Sequence, residues 1–512
     1  MQEISPNNKR IAKNTLLLYF RMLFTMAVSL YTSRVVLNIL GVEDFGIYNV
    51  VGGIVAMFGF INGSMTSATQ RYLTFELGQN NRAQLTKVFS TSLSIHGIIS
   101  FLIIVLAETV GLWFLWNKMQ IPADRMNAAF WVFQCSVAAS VIMIMSVPYN
   151  AAIIAHEKMS AFAYISIIEV SLKLLIVYFL QYFHVDKLIL YAVLIVIVQF
   201  IIRLCYSWYC NRHFKETKYR WIWDKTLFCE MTGFAGWNLF GNLAAITFTQ
   251  GLNLLLNMFF GPVVNAARGI AVQAQTAIGQ FSSNFQTALN PQITKSYATG
   301  DREYMHSLIF RSAKFSFFLL LFLSLPILIE TKAILTLWLK IVPDHTVVFL
   351  RIMLCTTWVY AISNPLITAA SATGKIKLYQ SVVGGLLLLI LPISYLCLRL
   401  GLPAYSVFIV HLGMEITAQF ARLWMLRRMI RLSLREYFTK VIWRISKVTI
   451  IALAAPLAVA YWLPGEGIWN LLTICLICAI STSMSVYWFG LTSGEKIYIS
   501  SRVSSIVSKF RK

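Results

Sequence analysis

Apolar runs of about twenty residues follow one another along nearly the whole chain. Each is long enough, at 1.5 Å per residue, to cross a hydrocarbon core of about 30 Å. They predict helices at 15–38, 46–66, 88–116, 127–150, 160–182, 187–210, 230–259, 267–290, 307–330, 345–370, 377–398, 403–425, 445–463 and 468–490. Only helices and closed barrels satisfy their own backbone in lipid, and runs of this length imply helices. The expectation is an all-α, polytopic membrane protein with about fourteen transmembrane helices.

Polar residues interrupt these runs in register. In 267–290, Arg268, Gln275, Gly279, Ser282 and Gln286 recur at steps of seven, four, three and four. At roughly 100° per residue they share one narrow face. The run 230–259 carries Asn238, Asn242, Thr249 and Asn253 in the same manner. Lipid cannot accept such faces, because an unsatisfied amide in hydrocarbon costs several kcal/mol. Either the two helices bond to each other in a dry bundle, or they line a wet path; the number of amides favours the wet path.

Charges inside the runs sharpen this picture, since an arginine near a span's centre usually faces a cavity or a partner. Arg21 shares a face with Asn14, Thr25 and Thr32. Arg34 and Arg203 lie near helix ends and can snorkel to the interface. Glu169 and Lys173, at i and i+4, read as a neutralising pair on one helix. Glu415 follows His411 by one turn; both are candidates for proton or sodium coupling, as is Glu169, or Glu415 balances Arg351 or another cation. No acid shares a run with Arg21 or with Arg268, which makes these two the candidates for holding an anion. The expected substrate-contacting set is Arg21, Thr25, Asn238, Asn242, Thr249, Asn253, Arg268, Gln275, Ser282 and Gln286.

The chain also repeats itself. Asn62/Asn284, Gln70/Gln292, Gly78/Gly300, Ser90/Ser312, Ser94/Ser316, Glu108/Glu330 and Trp116/Trp338 all stand at one offset, that of 70 to 292. Pro148/Pro365, Ala152/Ala369, Ala155/Ala372 and Lys158/Lys375 share a second, that of 148 to 365. Two homologous six-helix lobes are expected, at 1–210 and 230–425. Linkers at 211–229 and 426–444 separate them from each other and from a terminal helix pair with a basic tail at 445–512. Substrate sites of such duplicated membrane proteins commonly lie between the repeats.

Composition agrees with the membrane reading and removes other classes. Hydrophobic residues make up 58% and charged residues 12% of the chain, and mean hydropathy is +0.69, outside the range of soluble globular proteins. The net charge of +23 is spread along the chain rather than gathered in a soluble domain, which argues against nucleic acid. The basic clusters after 210 and after 425 place both termini in the cytoplasm by the positive-inside rule. Trp221 and Trp223 beside Arg220 suit an interfacial linker. Nothing at the N-terminus resembles a cleaved signal peptide. The eight cysteines lie mostly within runs, and Cys475 and Cys478 have CxxC spacing without companion ligands. Neither a metal, a cofactor nor a catalytic constellation is expected.

The stretch SRVVLNILGVEDFGIYNVVGG at 33–53, followed by RYLTFELG at 71–78, resembles polysaccharide flippases of the Wzx type. These belong to the multidrug, oligosaccharidyl-lipid and polysaccharide exporter (MOP) superfamily. The resemblance implies a V-shaped, two-lobed bundle with a cationic central cavity. It implies a substrate, an undecaprenyl-diphosphate-linked oligosaccharide, flipped from the cytoplasmic to the periplasmic leaflet of a bacterial inner membrane. Membrane lipids and a polysaccharide polymerase complex are the implied partners. A cation-coupled drug exporter of the same superfamily is the competing function, and a membrane polysaccharide polymerase or ligase a more distant one.

Overall fold

The computed structural model describes residues 6–56, 59–117, 119, 121–182, 185–220, 222, 224–339, 342–462 and 467–496. Trp221, Trp223, the basic tail from 497 onward and the side chains of Arg34 and Asn62 lie outside the described residues. The described chain is helical, in the order α1 (Pro6–Ala56), α2 (Gly59–Gly78), α3 (Arg82–Leu106), α4 (Leu112–Asn117), α5 (Met126–Ala155), α6 (Met159–Phe179), α7 (Lys187–His213), α8 (Lys225–Ala298), α9 (Arg302–Ile329), α10 (Thr331–Leu339), α11 (Thr346–Ala372), α12 (Lys377–Arg399), α13 (Ser406–Met429), α14 (Leu434–Tyr437), α15 (Trp443–Trp462) and α16 (Ile468–Ser485). No strand occurs among the described residues. Ten helices there are long and apolar enough to cross a membrane. The expected runs 15–38 and 267–290 are helical as well, and the expected run 403–425 is helical from 406 onward.

Local chemistry fixes several helix starts. Asn81 caps α3 through Gln84 N at 3.2 Å, Asp186 caps α7 through Leu188 N at 3.0 Å, and Asp224 caps α8 through Leu227 N at 3.1 Å. Each side-chain oxygen satisfies an amide that the first turn leaves without a partner, worth about 1 kcal/mol. The two longest helices each break at a glycine: Gly41 in α1 (φ 81, ψ 171) and Gly261 in α8 (φ 79, ψ −172). That backbone region is open essentially to glycine alone. Hence α1 and α8 each consist of two limbs joined at an extended residue. The repeat is visible here, because both duplicated halves begin with the same broken helix. Pro148 within α5 and Pro365 within α11 mark a second equivalent pair.

The chain forms two compact units. The first holds 1–243 together with 287–301 and 374–381. Besides the segment expected as the first lobe, it therefore takes in the expected linker, the start and the end of α8, and the start of α12. Phe89 packs edge-on against Tyr149 within a buried core that includes Ile153, Val177 and Val198. The second unit holds 244–286, 302–373 and 382–512, with Leu256, Phe349, Leu354 and Val407 at its centre. Large apolar side chains also point outward, as with Phe101 at 69%, Phe420 at 68% and Ile450 at 69% exposure. Their number would make a soluble protein aggregate; a lipid-facing surface requires them.

Replacing Gly41 or Gly261 by alanine should destabilise the fold by about 1–3 kcal/mol each. Gly269→Ala, where an added Cβ meets nothing within 4 Å, should be tolerated. Thermal-unfolding midpoints of the detergent-purified proteins test this, and equal midpoints for all three would refute the assigned break.

Candidate functional site

In the first unit Arg21 rises from the first limb of α1 into contact with α6. Its Nη1 reaches Ser166 Oγ at 3.5 Å, and its guanidinium lies 4.5 Å from the centre of the Phe162 ring. Glu169 and Tyr206 act on it electrostatically. An acid thus answers Arg21 from another helix, which a search confined to its own run does not reveal. Glu169 itself accepts Lys173 Nζ at 2.6 Å and Gln199 Nε2 at 3.3 Å, the expected i,i+4 pair extended by an amide. Thr25 turns back onto Met22 O at 3.1 Å. Arg203 stacks over Tyr149 at 4.2 Å rather than only reaching for an interface.

The polar residues of α8 divide between the units. Asn238 accepts Gln380 Nε2 at 3.0 Å and Asn242 donates to Ser64 Oγ at 2.9 Å, both within the first unit. In the second unit Gln275 donates to Met353 O at 3.1 Å and Thr357 Oγ1 at 2.9 Å. Gln286 donates to Ser316 Oγ and to Ala361 O, both at 3.0 Å. Ser282 is buried, and its hydroxyl has no partner among the described residues. Gln275 and Gln286 are therefore tied to α9 and α11 by direct hydrogen bonds, rather than to the polar face of 230–259 as the expected dry bundle has it. Burial of an amide is tolerable once such bonds replace water.

Arg268 differs from these amides. It is 8% exposed, and it reaches across the Gly261 break to the limb before it. Nη1 donates to Asn253 Oδ1 at 3.0 Å and Nη2 to Thr249 O at 2.8 Å, while Nε has no partner among the described residues. Among the described residues no carboxylate pairs with it. Thr249 itself bonds to Ala245 O at 2.7 Å. Neutral oxygens orient the guanidinium without cancelling its charge. An anion is the complement such a group lacks, and arginine's planar fork suits phosphate oxygens.

Glu415 is engaged elsewhere. Its Oε1 accepts Arg422 Nη1 at 2.8 Å, with both side chains almost wholly buried. Arg422 also donates to Ser363 Oγ at 3.1 Å, and Ser363 donates to Gln419 Oε1 at 2.7 Å. The cation balancing Glu415 is Arg422, two turns along α13, and not Arg351. Arg351 is exposed and bonds to Thr331 Oγ1 at 3.0 Å and Ile329 O at 3.1 Å. His411 packs its ring on Phe248 at 4.8 Å, within electrostatic reach of Glu415 and Arg268. Sequence reasoning passed over Arg422, although its spacing from Glu415 puts both on one helical face. It also passed over Lys314, buried in α9 and paired with Glu495 Oε2 at 2.7 Å. Burial pushes the Glu495 carboxyl up, but Lys314 and Thr492 outweigh this and hold it below the usual carboxylate range. No group of metal-ligating residues occurs among the described residues.

The family model described as "Polysaccharide biosynthesis protein" matches residues 11–300. Among solved structures, an outward-facing multidrug resistance MATE family transporter of the MOP superfamily is similar over 83% of this chain and 97% of its own, at TM-score 0.71 and 13% identity. The MATE transporter ClbM in complex with Rb+ is similar over 84% and 96%, at TM-score 0.67 and 16% identity. A MOP superfamily transporter from Pyrococcus furiosus, described as having a binding pocket of reverse polarity, is similar over 83% and 96%, at TM-score 0.68 and 13% identity. No curated protein matches in sequence. At these identities the solved structures show the fold that the helix pattern predicts.

Breaking the Glu415–Arg422 pair from one side should cost about 3–5 kcal/mol, because a buried charge is then left alone. Glu415→Gln and Arg422→Met should each lower the thermal midpoint, and the double variant should be more stable than the sum of the two losses predicts. Additive losses in that double-mutant cycle would show that the two residues do not interact.

Proposed function

Because the chain belongs to the polysaccharide biosynthesis protein family and has the fold of MOP superfamily transporters, we propose that it flips lipid-linked oligosaccharides. Specifically, it moves undecaprenyl-diphosphate-linked repeat units from the cytoplasmic to the periplasmic leaflet of a bacterial inner membrane. The product feeds O-antigen, capsule or exopolysaccharide assembly, and both termini face the cytoplasm. Family and fold together support a membrane transporter. The finer reading rests on Arg268, a buried guanidinium held by Asn253 and Thr249.

The chemistry of the substrate fits that group. A diphosphate and its glycan cannot cross hydrocarbon unaided, whereas the polyprenyl chain can stay in the bilayer. A guanidinium oriented by neutral acceptors keeps its full charge for the diphosphate, and hydrogen bonds to charged groups contribute about 1.5–3 kcal/mol each. Arg21, already within reach of Glu169, holds a weaker claim. Alternating access through rocking of two duplicated halves would carry the headgroup across. For coupling, Glu169 and Glu415 already have cationic partners, which leaves His411 as the better proton-coupling candidate.

The drug-exporter reading draws on the MATE structures with which the fold is shared. A lipophilic cation would, however, be repelled by Arg268, and a deletion strain with raised drug susceptibility and normal surface polysaccharide would favour that reading instead. Under the flippase reading, deletion leaves lipid-linked repeats at the cytoplasmic leaflet and removes the surface polymer. Arg268→Ala should cut complementation about ten- to a hundredfold at equal expression, as expected for loss of one charged contact. Arg268→Lys should retain part of it, since the charge survives without the fork. Full complementation by Arg268→Ala would remove this residue from the site.

A further inference from the structure

A second constellation lies where α2 runs out at Gly78 and α8 at Ala298, both within the first unit. Glu157 occupies the turn between α5 and α6 in the left-handed region (φ 57), and its side chain is fully buried. Oε1 accepts Lys295 Nζ at 2.6 Å, Oε2 accepts Gln292 Nε2 at 2.5 Å, and its backbone oxygen accepts Asn14 Nδ2 at 3.2 Å. The helix ends beside it are in close contact. A Cβ added at Gly78 would fall 2.7 Å from Ala298 Cβ and 3.1 Å from Lys295 Cα, and Gln79 Nε2 donates to Ala298 O at 2.9 Å.

The repeat supplies a counterpart. Gly374 stands to Glu157 as Pro365 stands to Pro148, and it too is left-handed, with φ 74. There the missing side chain makes room for a cation: Arg71 Nη2 lies 2.7 Å from where a Cβ would be. Its guanidinium is stacked at 4.5 Å on Tyr72 and 4.8 Å on Phe75. Equivalent turns thus meet this end of the bundle in two ways, one by reaching out with a carboxylate and the other by yielding space.

A buried carboxylate is tolerable only while both oxygens are held. Gln292 and Lys295 hold them from the last turns of α8. The Lys295 side chain is 23% exposed, so water can take over its ammonium once the helix end withdraws. That combination makes a two-state element rather than a permanent core pair. We infer that Glu157, gripped by Gln292 and Lys295, is a latch that holds the end of α8 to the turn between α5 and α6 in one state of the transport cycle. Its release opens the end of the bundle expected to face the cytoplasm. The inference rests on the transport reading for its role in a cycle, but its geometry can be tested without transport.

Spin labels at the exposed positions Lys158 and Thr299, in a cysteine-free full-length protein in nanodiscs, report the separation of the α5–α6 turn from the end of α8 by pulsed electron resonance. Unaltered Glu157 should give a predominantly short distance. Glu157→Gln and Lys295→Met should each raise the ratio of long to short populations about tenfold, as loss of a charge-assisted bond implies. Exchanging the charges, with Glu157→Lys and Lys295→Glu together, should restore the short distance. Lys295→Met sits at a partly exposed position and carries the same readout if Glu157→Gln does not fold. Distributions unchanged in the variants would overturn the latch. A shifted distribution in a protein that flips no substrate would support the latch and overturn the transport reading.

Discussion

A guanidinium or an ammonium buried among apolar helices must be answered by a polar partner, since neither lipid nor a packed core can solvate it. Much of this structure follows from how that requirement is met. Arg422 is answered by Glu415, Lys314 by Glu495, Lys173 by Glu169 and Lys295 by Glu157. In these pairs the charge is cancelled on site, and the pair fastens one segment to another or one helical turn to the next. Arg268 is answered by an amide oxygen and a backbone carbonyl. It is held in place, yet its charge remains available.

The break at Gly261 makes that arrangement possible. Asn253 and Thr249 precede the break and Arg268 follows it, so the change of direction brings two limbs of one helix into contact. The equivalent break at Gly41 provides the same backbone in the first half, but Arg21 bonds instead to a different helix. Duplication thus preserved the scaffold and not the chemistry. The same holds at the turns carrying Glu157 and Gly374, where one backbone conformation serves a carboxylate at one site and the absence of a side chain at the other.

The fold was legible in the sequence because lipid imposes one simple rule. Runs of apolar residues long enough to cross a membrane must be helical, and the offset identities exposed the repeat. The site was legible only in part. Arg268 stood out because no acid shares its run, and Glu169 with Lys173 because the pair is local. The partner of Glu415 was within reach, since Arg422 lies on the same helical face. Glu157 was not: its partners are more than a hundred residues away in the chain. The amides Gln275 and Gln286 misled for a related reason. A polar stripe says that a helix face cannot meet lipid, but water and neighbouring helices satisfy it equally well.

The central claim is that Arg268 offers an uncancelled charge to a lipid diphosphate. Its most direct test is the affinity of the purified protein for decaprenyl diphosphate and for neutral decaprenol, before and after Arg268→Ala. The account predicts that the substitution weakens diphosphate binding about tenfold or more, the loss expected for one charge-assisted contact, and leaves decaprenol binding unchanged. Equal diphosphate affinity in the two proteins, or an equal loss for both lipids, would contradict it.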